Sequence, residues 1–416
     1  MLVKIFINLL FTLSYMNKKQ NKITMASFNS NIWKMYVFKF LTNLHFFGGV
    51  LVPFFLDWGG ISFTQLMILQ SFFVICIFLL EIPTGAIADY VSRKASIILS
   101  ALATALAILI YTSHPNFYIF LIGEFFWALG FTLLSGADEA LIYDSLKRTK
   151  QENTSKSVFG RYHGFELMGL MVAAPIGSFI AAKFGLRIPM LIVIIPLMIA
   201  FLFAFTLKEP KTRKKVESKR YLSMLVSGVK YFKNNNTLQI LAFDRISIGV
   251  LAFFLVWTYQ PLLKLLSVPL FYFGFIHAGF TGIQVIFMNR FEWLENRFGS
   301  KKRYLLWSAI ISGAAFILLG LNSYVPITIA LIIIIGGFGL SRYVLFNSYM
   351  NKYIESHNRA TVISTISMVD RFVRALLYPL IGLLVEWSLR YSLVIIGIAI
   401  VIFALVSKVE EKHLVD

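Results

Sequence analysis

The chain has 416 residues, of which 58% are hydrophobic and only 14% charged, and its formal net charge is +19. A soluble domain carries about 25% charged residues, so this composition excludes a soluble protein with buried helices. The positive charge does not indicate a nucleic-acid partner, because the basic residues gather in short loops between apolar runs, as on the cytoplasmic face of a membrane protein.

Apolar stretches long enough to span a bilayer recur from end to end, which predicts an all-α polytopic membrane protein. Residues 1–35 read as an N-terminal extension. "VKIFINLLFTLSY" is short for a span and "NKKQNK" follows it, so the segment is cytoplasmic or interfacial, or an overlong start ahead of Met16, Met25 or Met35. Twelve transmembrane helices are expected at 36–56, 66–87, 95–112, 117–142, 159–182, 187–207, 236–261, 267–289, 303–321, 325–349, 361–385 and 390–407. Turn formers at WGG, SHPN, KFGLR and LNSYVP interrupt the apolar pattern between them. They group into an N-terminal six-helix bundle (36–207) and a C-terminal one (236–407). A basic linker (208–235) joins the two, and a tail (408–416) follows.

Lysine and arginine set the sidedness. With both termini cytoplasmic, the inner loops hold Arg93 and Lys94, then Lys147, Arg148, Lys150 and Lys156, then Lys208 to Lys233, then Arg297 to Arg303. Lys183, Arg187, Lys264 and Arg390 fall on the other side. The densest run, "KEPKTRKKVESKR", reads as a solvated linker that is also drawn to anionic membrane lipid. The single cysteine, Cys76, rules out an intramolecular disulfide and a cysteine-rich metal site. There is no HExxH, P-loop or dinucleotide fingerprint, so no enzyme, cofactor or metal centre is expected.

The halves resemble each other. Gly185-Leu186-Arg187 after span five is matched half a chain later by Ser388-Leu389-Arg390. Pro175 and Gly177 on span five are matched by Pro379 and Gly382 on span eleven, and Asp89, Arg93 and Lys94 by Glu295, Arg297, Lys301 and Lys302. A duplicated six-helix unit is a common construction of alternating-access carriers.

With these features in place, residues 36–407 resemble the major facilitator superfamily. Gly85-Ala-Ile-Ala-Asp89-Tyr-Val-Ser-Arg93-Lys94 is similar to its loop signature between the second and third spans, although Tyr90 and Ser92 replace a basic residue and a glycine of the pattern. The phrases EIPTGAIAD, SGADEALIYDSL and RATVISTISMVDR are similar to mostly uncharacterised prokaryotic members labelled drug exporters. The resemblance implies a cytoplasmic gate at Gly85, Asp89, Arg93 and Lys94 that locks the halves and opens as they rock. Physically, Gly85 permits close helix approach, and Asp89 and Arg93 are spaced to pair if the turn is helical. Gly169, Ala173, Ala174, Pro175 and Gly177 are similar to an antiporter signature, degraded at Ala174; a kinked, closely packed helix is the other reading.

Ionisable groups inside spans are candidates for function because burying them is costly. Glu124, near Trp127, and Glu81, one turn inside Gly85, are the candidate coupling carboxylates, since burial favours the proton-bound form of a carboxyl group. Asn43 and His45 are candidates to line a cavity. Asp138 and Glu139 are expected to meet Arg161, His163 and Glu166 where spans four and five face each other, and Asp144 is spaced to pair with Arg148. In the second half, Asp244 and Arg245 are adjacent and need separate partners, while Gln260, Gln284, Arg342 and Asn347 add polar capacity. Arg371 and Arg374, with Tyr378 beyond, either bind an anionic solute or are neutralised by Asp244, Glu81 or Asp370.

The function expected is secondary transport by alternating access: proton-coupled export of a small, partly hydrophobic solute or drug, in the manner of a multidrug-efflux antiporter. The alternative is an uptake carrier or facilitator for a metabolite or an anionic amphiphile or lipid. Either would act as a monomer in the cell inner membrane of a prokaryote. A membrane receptor or lipid-processing protein would lack the duplication and the paired intramembrane charges.

Overall fold

The computed structural model describes residues 25–209, 229–355 and 359–414. VKIFINLLFTLSY, NKKQNK and most of the basic run after Lys208 lie outside the described residues. Within them the secondary structure is helical, with no strand.

The first helix, α1 (Met25–Thr42), begins well before the expected span. It ends where Thr42 Oγ1 donates to the Phe38 carbonyl (3.0 Å) and the Asn43 amide to the Lys39 carbonyl (2.8 Å); side chains that compete for backbone groups in this way break helices. The chain resumes as the short apolar helix α2 (Gly48–Trp58), so the expected span 36–56 is broken near its middle. Then come α3 (Phe63–Tyr90), α4 (Arg93–Tyr111), α5 (Phe117–Leu134) and α6 (Ala137–Arg148). Gly136, at φ 77°, separates α5 from α6 inside the expected span 117–142. That left-handed conformation suits glycine, and it lets α6 start afresh with Asp138 and Glu139 in its first turn, where carboxylates favour the helix dipole. α7 (Ser155–Phe184), α8 (Arg187–Ile192) and α9 (Ile194–Ala204) complete the first half.

The second half contains α10 (Asn236–Phe253), α11 (Leu255–Leu265), α12 (Phe273–Met288), α13 (Phe291–Arg297), α14 (Lys301–Leu321) and α15 (Val325–Ile334). A π-turn at Ile335–Leu340, rich in glycine, leads into α16 (Arg342–Lys352), and α17 (Arg359–Val406) is kinked at Ser388. Among the described residues, ten stretches are long and apolar enough to cross a membrane. Their outer faces carry side chains such as Leu79, Leu202 and Leu405, each more than 60% exposed. Such apolar exposure along spans of this length suits contact with lipid.

By its contacts the chain forms two compact units, one from the residues through Gly48 together with the stretch from Phe72, the other from Gly49–Ser71 and the second half. In the first, Met35 and Phe38 of α1 pack with Ile97, Ile98 and Leu99 of α4, Leu141 of α6 and Ala200 of α9. Gly177 of α7 lies directly on the Phe46 carbonyl, so an added Cβ would overlap backbone. Gly177→Ala is therefore expected to cost roughly 2 kcal/mol, read as a lowered unfolding midpoint in detergent. In the second unit Gly313 and Gly397 each face the other's carbonyl, a close crossing of α14 and α17 that small residues allow. The N-terminal end of α3 is held there as well: Glu386 Oε1 accepts from Thr64 N (2.7 Å), and a Cβ on Gly382 would sit 2.8 Å from Thr64 Cα.

Each unit contains the same capping device. Ser92 caps α4, and the Glu209 carboxylate accepts from the backbone N–H of Arg93 (3.1 Å) and Lys94 (2.8 Å). Ser300 caps α14, and Glu411 accepts from the N–H of Lys301 (3.1 Å) and Lys302 (2.9 Å). A carboxylate here satisfies orphan helix donors and complements the dipole. Lys94 Nζ and Lys301 Nζ then donate to the Phe205 and Leu414 carbonyls, at 2.7 and 3.1 Å.

Two local expectations are corrected. Asp89 and Arg93 do not pair, because α3 ends at Tyr90 and extended Ser92 starts a new helix, so no helical turn joins them. Arg93 pairs instead with Asp144 and donates to the Ala140 carbonyl at 3.0 Å. Among the described residues of its own unit, none lies within 4 Å of the Cβ position of Gly85.

Candidate functional site

The densest cluster of titratable groups lines a cavity of about 610 Å³ in the first unit. Lys39, in the last turn of α1, reaches Glu166 Oε2 at 3.2 Å and Asp138 Oδ2 at 3.9 Å, with its side chain 12% exposed. Tyr162 donates its hydroxyl to Asp138 Oδ2 (2.6 Å), and the Glu139 N–H donates to Asp138 Oδ1 (2.8 Å). His163 places Nε2 3.5 Å from Glu139 and Nδ1 3.3 Å from Glu166. Tyr162 and Glu166 share one face of α7 at four-residue spacing, and the fresh start of α6 aims Asp138 and Glu139 at them.

Three carboxylates thus surround one lysine and one histidine. Both imidazole nitrogens face carboxylates, and only the doubly protonated ring donates to both. Acidic groups outnumber basic ones in the cluster, so it has capacity for further protons or for a cationic group. Beneath it lies an aromatic floor. His45 stacks on Phe47 (4.9 Å) and tilts against Trp127 (5.6 Å), which meets Tyr111 at 6.4 Å.

Of the residues singled out from sequence, Asn43, His45, Asp138, Glu139 and Glu166 line this cavity, and Arg161 is exposed outside it. Glu124 is 4% exposed beside Tyr111 and Cys76, behind the lining, and Glu81 is half-buried on α3. Lys39 and Tyr162 were not anticipated. Lys39 lies inside an apolar span, where any charge is a functional candidate, and Tyr162 precedes His163 and is one helical turn from Glu166.

In the second unit Asp244 and Arg342 form a buried pair at 2.6 Å, with side chains 5% and 2% exposed. Ser407 donates to the second Asp244 oxygen at 2.6 Å, and Arg342 also engages Ser308. Gln260 accepts from Val52 N (2.9 Å) and donates to the Tyr259 hydroxyl (2.7 Å), so it ties α11 to α2. Tyr378 packs edge-on against Phe254, and Gln284 is half-buried on α12. Arg374 pairs with Asp370 at 2.9 Å, whereas Arg371 on the neighbouring face is half-buried. A cavity of about 720 Å³ beside the Ser388 kink is larger than the first. Its walls are mainly apolar, and its Asp57 and Lys264 neutralise each other at 2.5 Å, so it gathers no comparable chemistry.

Apolar spans with a cluster of charged groups at a cavity among them are the features of a membrane carrier. The profile of the Major Facilitator Superfamily matches residues 25–289 and 246–413, and the chain belongs to that family. No curated protein matches the sequence. Among solved structures, the nucleoside transporter NupG is similar at a TM-score of 0.74 and 14% identity, covering 91% of this chain and 100% of that one. The POT family transporter PepTSo is similar at 0.68 and 14%, covering 91% and 96%. A bacterial homologue of the human lysosomal transporter Spinster, inward-facing and occupied, is similar at 0.71 and 15%, covering 92% and 97%. At such identities these likenesses show the fold. The protein is a secondary transporter of a small solute that works by alternating access.

Proposed function

We propose that the protein imports a small polar metabolite together with protons. The observation that carries this reading is the cluster of Lys39, Asp138, Glu139, Tyr162, His163 and Glu166 at the edge of a cavity of about 610 Å³, a volume within the range that holds small ligands. Carboxylates that exchange partners with a lysine and a histidine as a carrier moves can take a proton on one side and release it on the other. Import of a polar solute fits a charged lining better than drug export does. A nucleoside transporter among the similar structures agrees with a small polar solute. The aromatic floor of His45, Phe47 and Trp127 favours a second reading, proton-driven export of a partly hydrophobic solute. Glu124 and Glu81 are secondary proton sites in either case.

The architecture we propose is twelve helices in two six-helix bundles, with the broken α1–α2 as the first span and the kink at Ser388 dividing the last two. Both termini face the cytoplasm, and one copy suffices for transport. The gate at Gly85, Asp89, Arg93 and Lys94 works through the partners of Arg93, which change from Asp144 as the carrier moves.

Counterflow in proteoliposomes, with a panel of nucleosides, short peptides, sugars and hydrophobic dyes, tests the solute class. Exchange of a polar member and none of the dyes is the expected result; exchange of dyes alone returns the account to export.

A further inference from the structure

In the second unit α10, α16 and α17 bring together Arg245, Tyr343, Asp370 and Arg374. Arg245 is 1% exposed, and its guanidinium lies over the Tyr343 ring at 4.0 Å. Its Nε, Nη1 and Nη2 find no hydrogen-bond acceptor among the described residues. Tyr343, Asp370 and Arg374 act on it electrostatically; Asp370 Oδ2 pairs with Arg374 at 2.9 Å, and its Oδ1 makes no hydrogen bond among the described residues. Of the other carboxylates on these helices, Asp244 is taken by Arg342 and Ser407, and Glu386 accepts from Thr64 N. Two guanidinium groups therefore share one carboxylate, and the deeper of the two makes no hydrogen bond to it.

Nature retains charge at such depth where it is paired or used, and the planar five-donor fork of arginine matches a carboxylate or phosphate in bidentate fashion. Tyr343 already covers one face of the Arg245 guanidinium, which leaves the edge that carries its donors for an acceptor. Arg374 is the outer member: its side chain is 17% exposed, its Nε also lacks an acceptor, and it lies over Phe253 at 4.4 Å.

We propose that Arg245, with Arg374 at the entrance, is the binding site for an oxyanion, a carboxylate or phosphate carried by the transported solute. Tyr343 and Phe253 offer ring faces to the body of the same molecule. The inference rests on the carrier reading and narrows its substrate to an anionic metabolite. Asp370 holds Arg374 in place until the solute arrives.

Thermal unfolding of the purified full chain in detergent tests this, with matched probes: benzoate and benzamide, nicotinate and nicotinamide, uridine monophosphate and uridine, and inorganic phosphate. A parallel arm compares nanodiscs of phosphatidylglycerol with nanodiscs of phosphatidylcholine, which separates a soluble anion from a lipid headgroup. The expected result is stabilisation by anionic members and not by their neutral partners. In Arg245→Gln the half-saturating concentration should rise by at least about thirtyfold, with a smaller rise in Arg374→Gln. Arg245→Lys keeps the charge and should retain part of the response. The proposal is overturned if no anionic probe, soluble or lipid, stabilises the unaltered protein. It is equally overturned if Arg245→Gln and Arg374→Gln respond as the unaltered protein does. If counterflow of a neutral solute persists while every anion fails, the carrier reading stands and the oxyanion site falls. Anion binding without any counterflow leaves the site and removes the carrier reading.

Discussion

Replacing Asp244 with alanine is expected to lower the stability of the protein by about 3–5 kcal/mol. The Arg342 side chain that Asp244 neutralises is 2% exposed, and the pair is 2.6 Å apart. Without the carboxylate, Arg342 keeps its bonds to Ser308 and the Leu305 carbonyl but has no counter-charge, and Ser407 loses its acceptor. A lone charge held inside apolar packing is one of the few changes with effects of this size. Removing both charges, as in the double variant Asp244→Leu with Arg342→Met, should recover most of the loss, because a buried ion pair is often no more stabilising than an apolar pair of similar volume. Unfolding midpoints of the two variants in detergent decide the matter. A double variant as unstable as the single one would show that packing, not charge, is what Asp244 supplies.

The second large effect is functional. Lys39→Met removes the one lysine from a cavity lined by Asp138, Glu139 and Glu166. Like charges that share a site must change their proton occupancy once the cation between them is gone. Solute exchange without a gradient should survive within about threefold, while accumulation driven by a pH gradient should fall by about a hundredfold, which corresponds to roughly 2.7 kcal/mol of lost coupling. Lys39→Arg keeps the charge and should retain accumulation in part. Parallel counterflow and gradient-driven uptake assays separate the two effects, and equal losses in both would show that Lys39 serves binding or folding instead of coupling.

Much of the architecture can be read from apolar run length, because a bilayer demands uninterrupted helices of that length. What escaped the reading were the breaks. Residues 43–47 look apolar enough to continue a helix, yet Thr42 and Asn43 turn their side chains onto the backbone. Gly136 alone divides α5 from α6, and that division is what aims Asp138 and Glu139 into the cavity. Spacing rules suggested a local pair, Asp89 with Arg93, whereas Arg93 chose Asp144 from another helix. Asp244 and Arg342 are likewise joined only by the packing of α10 on α16, which no local pattern encodes. Glu209 and Glu411 were hidden for a different reason. Each follows the last apolar run of its half, in segments read as linker and tail, and their role emerges only when they reach the N-termini of α4 and α14. The near-repeat of Arg93-Lys94 and Lys301-Lys302 was visible in sequence; the shared partner that gives it meaning was not.

The central claim is that the cluster around Glu166 couples solute movement to protons. Simultaneous recording of solute uptake and internal pH in proteoliposomes, for the unaltered protein and for Glu166→Gln, tests it most directly. The account predicts that protons enter with solute in the unaltered protein, and that Glu166→Gln still exchanges solute but moves no protons with it. Solute accumulation with undiminished proton entry in Glu166→Gln would contradict it.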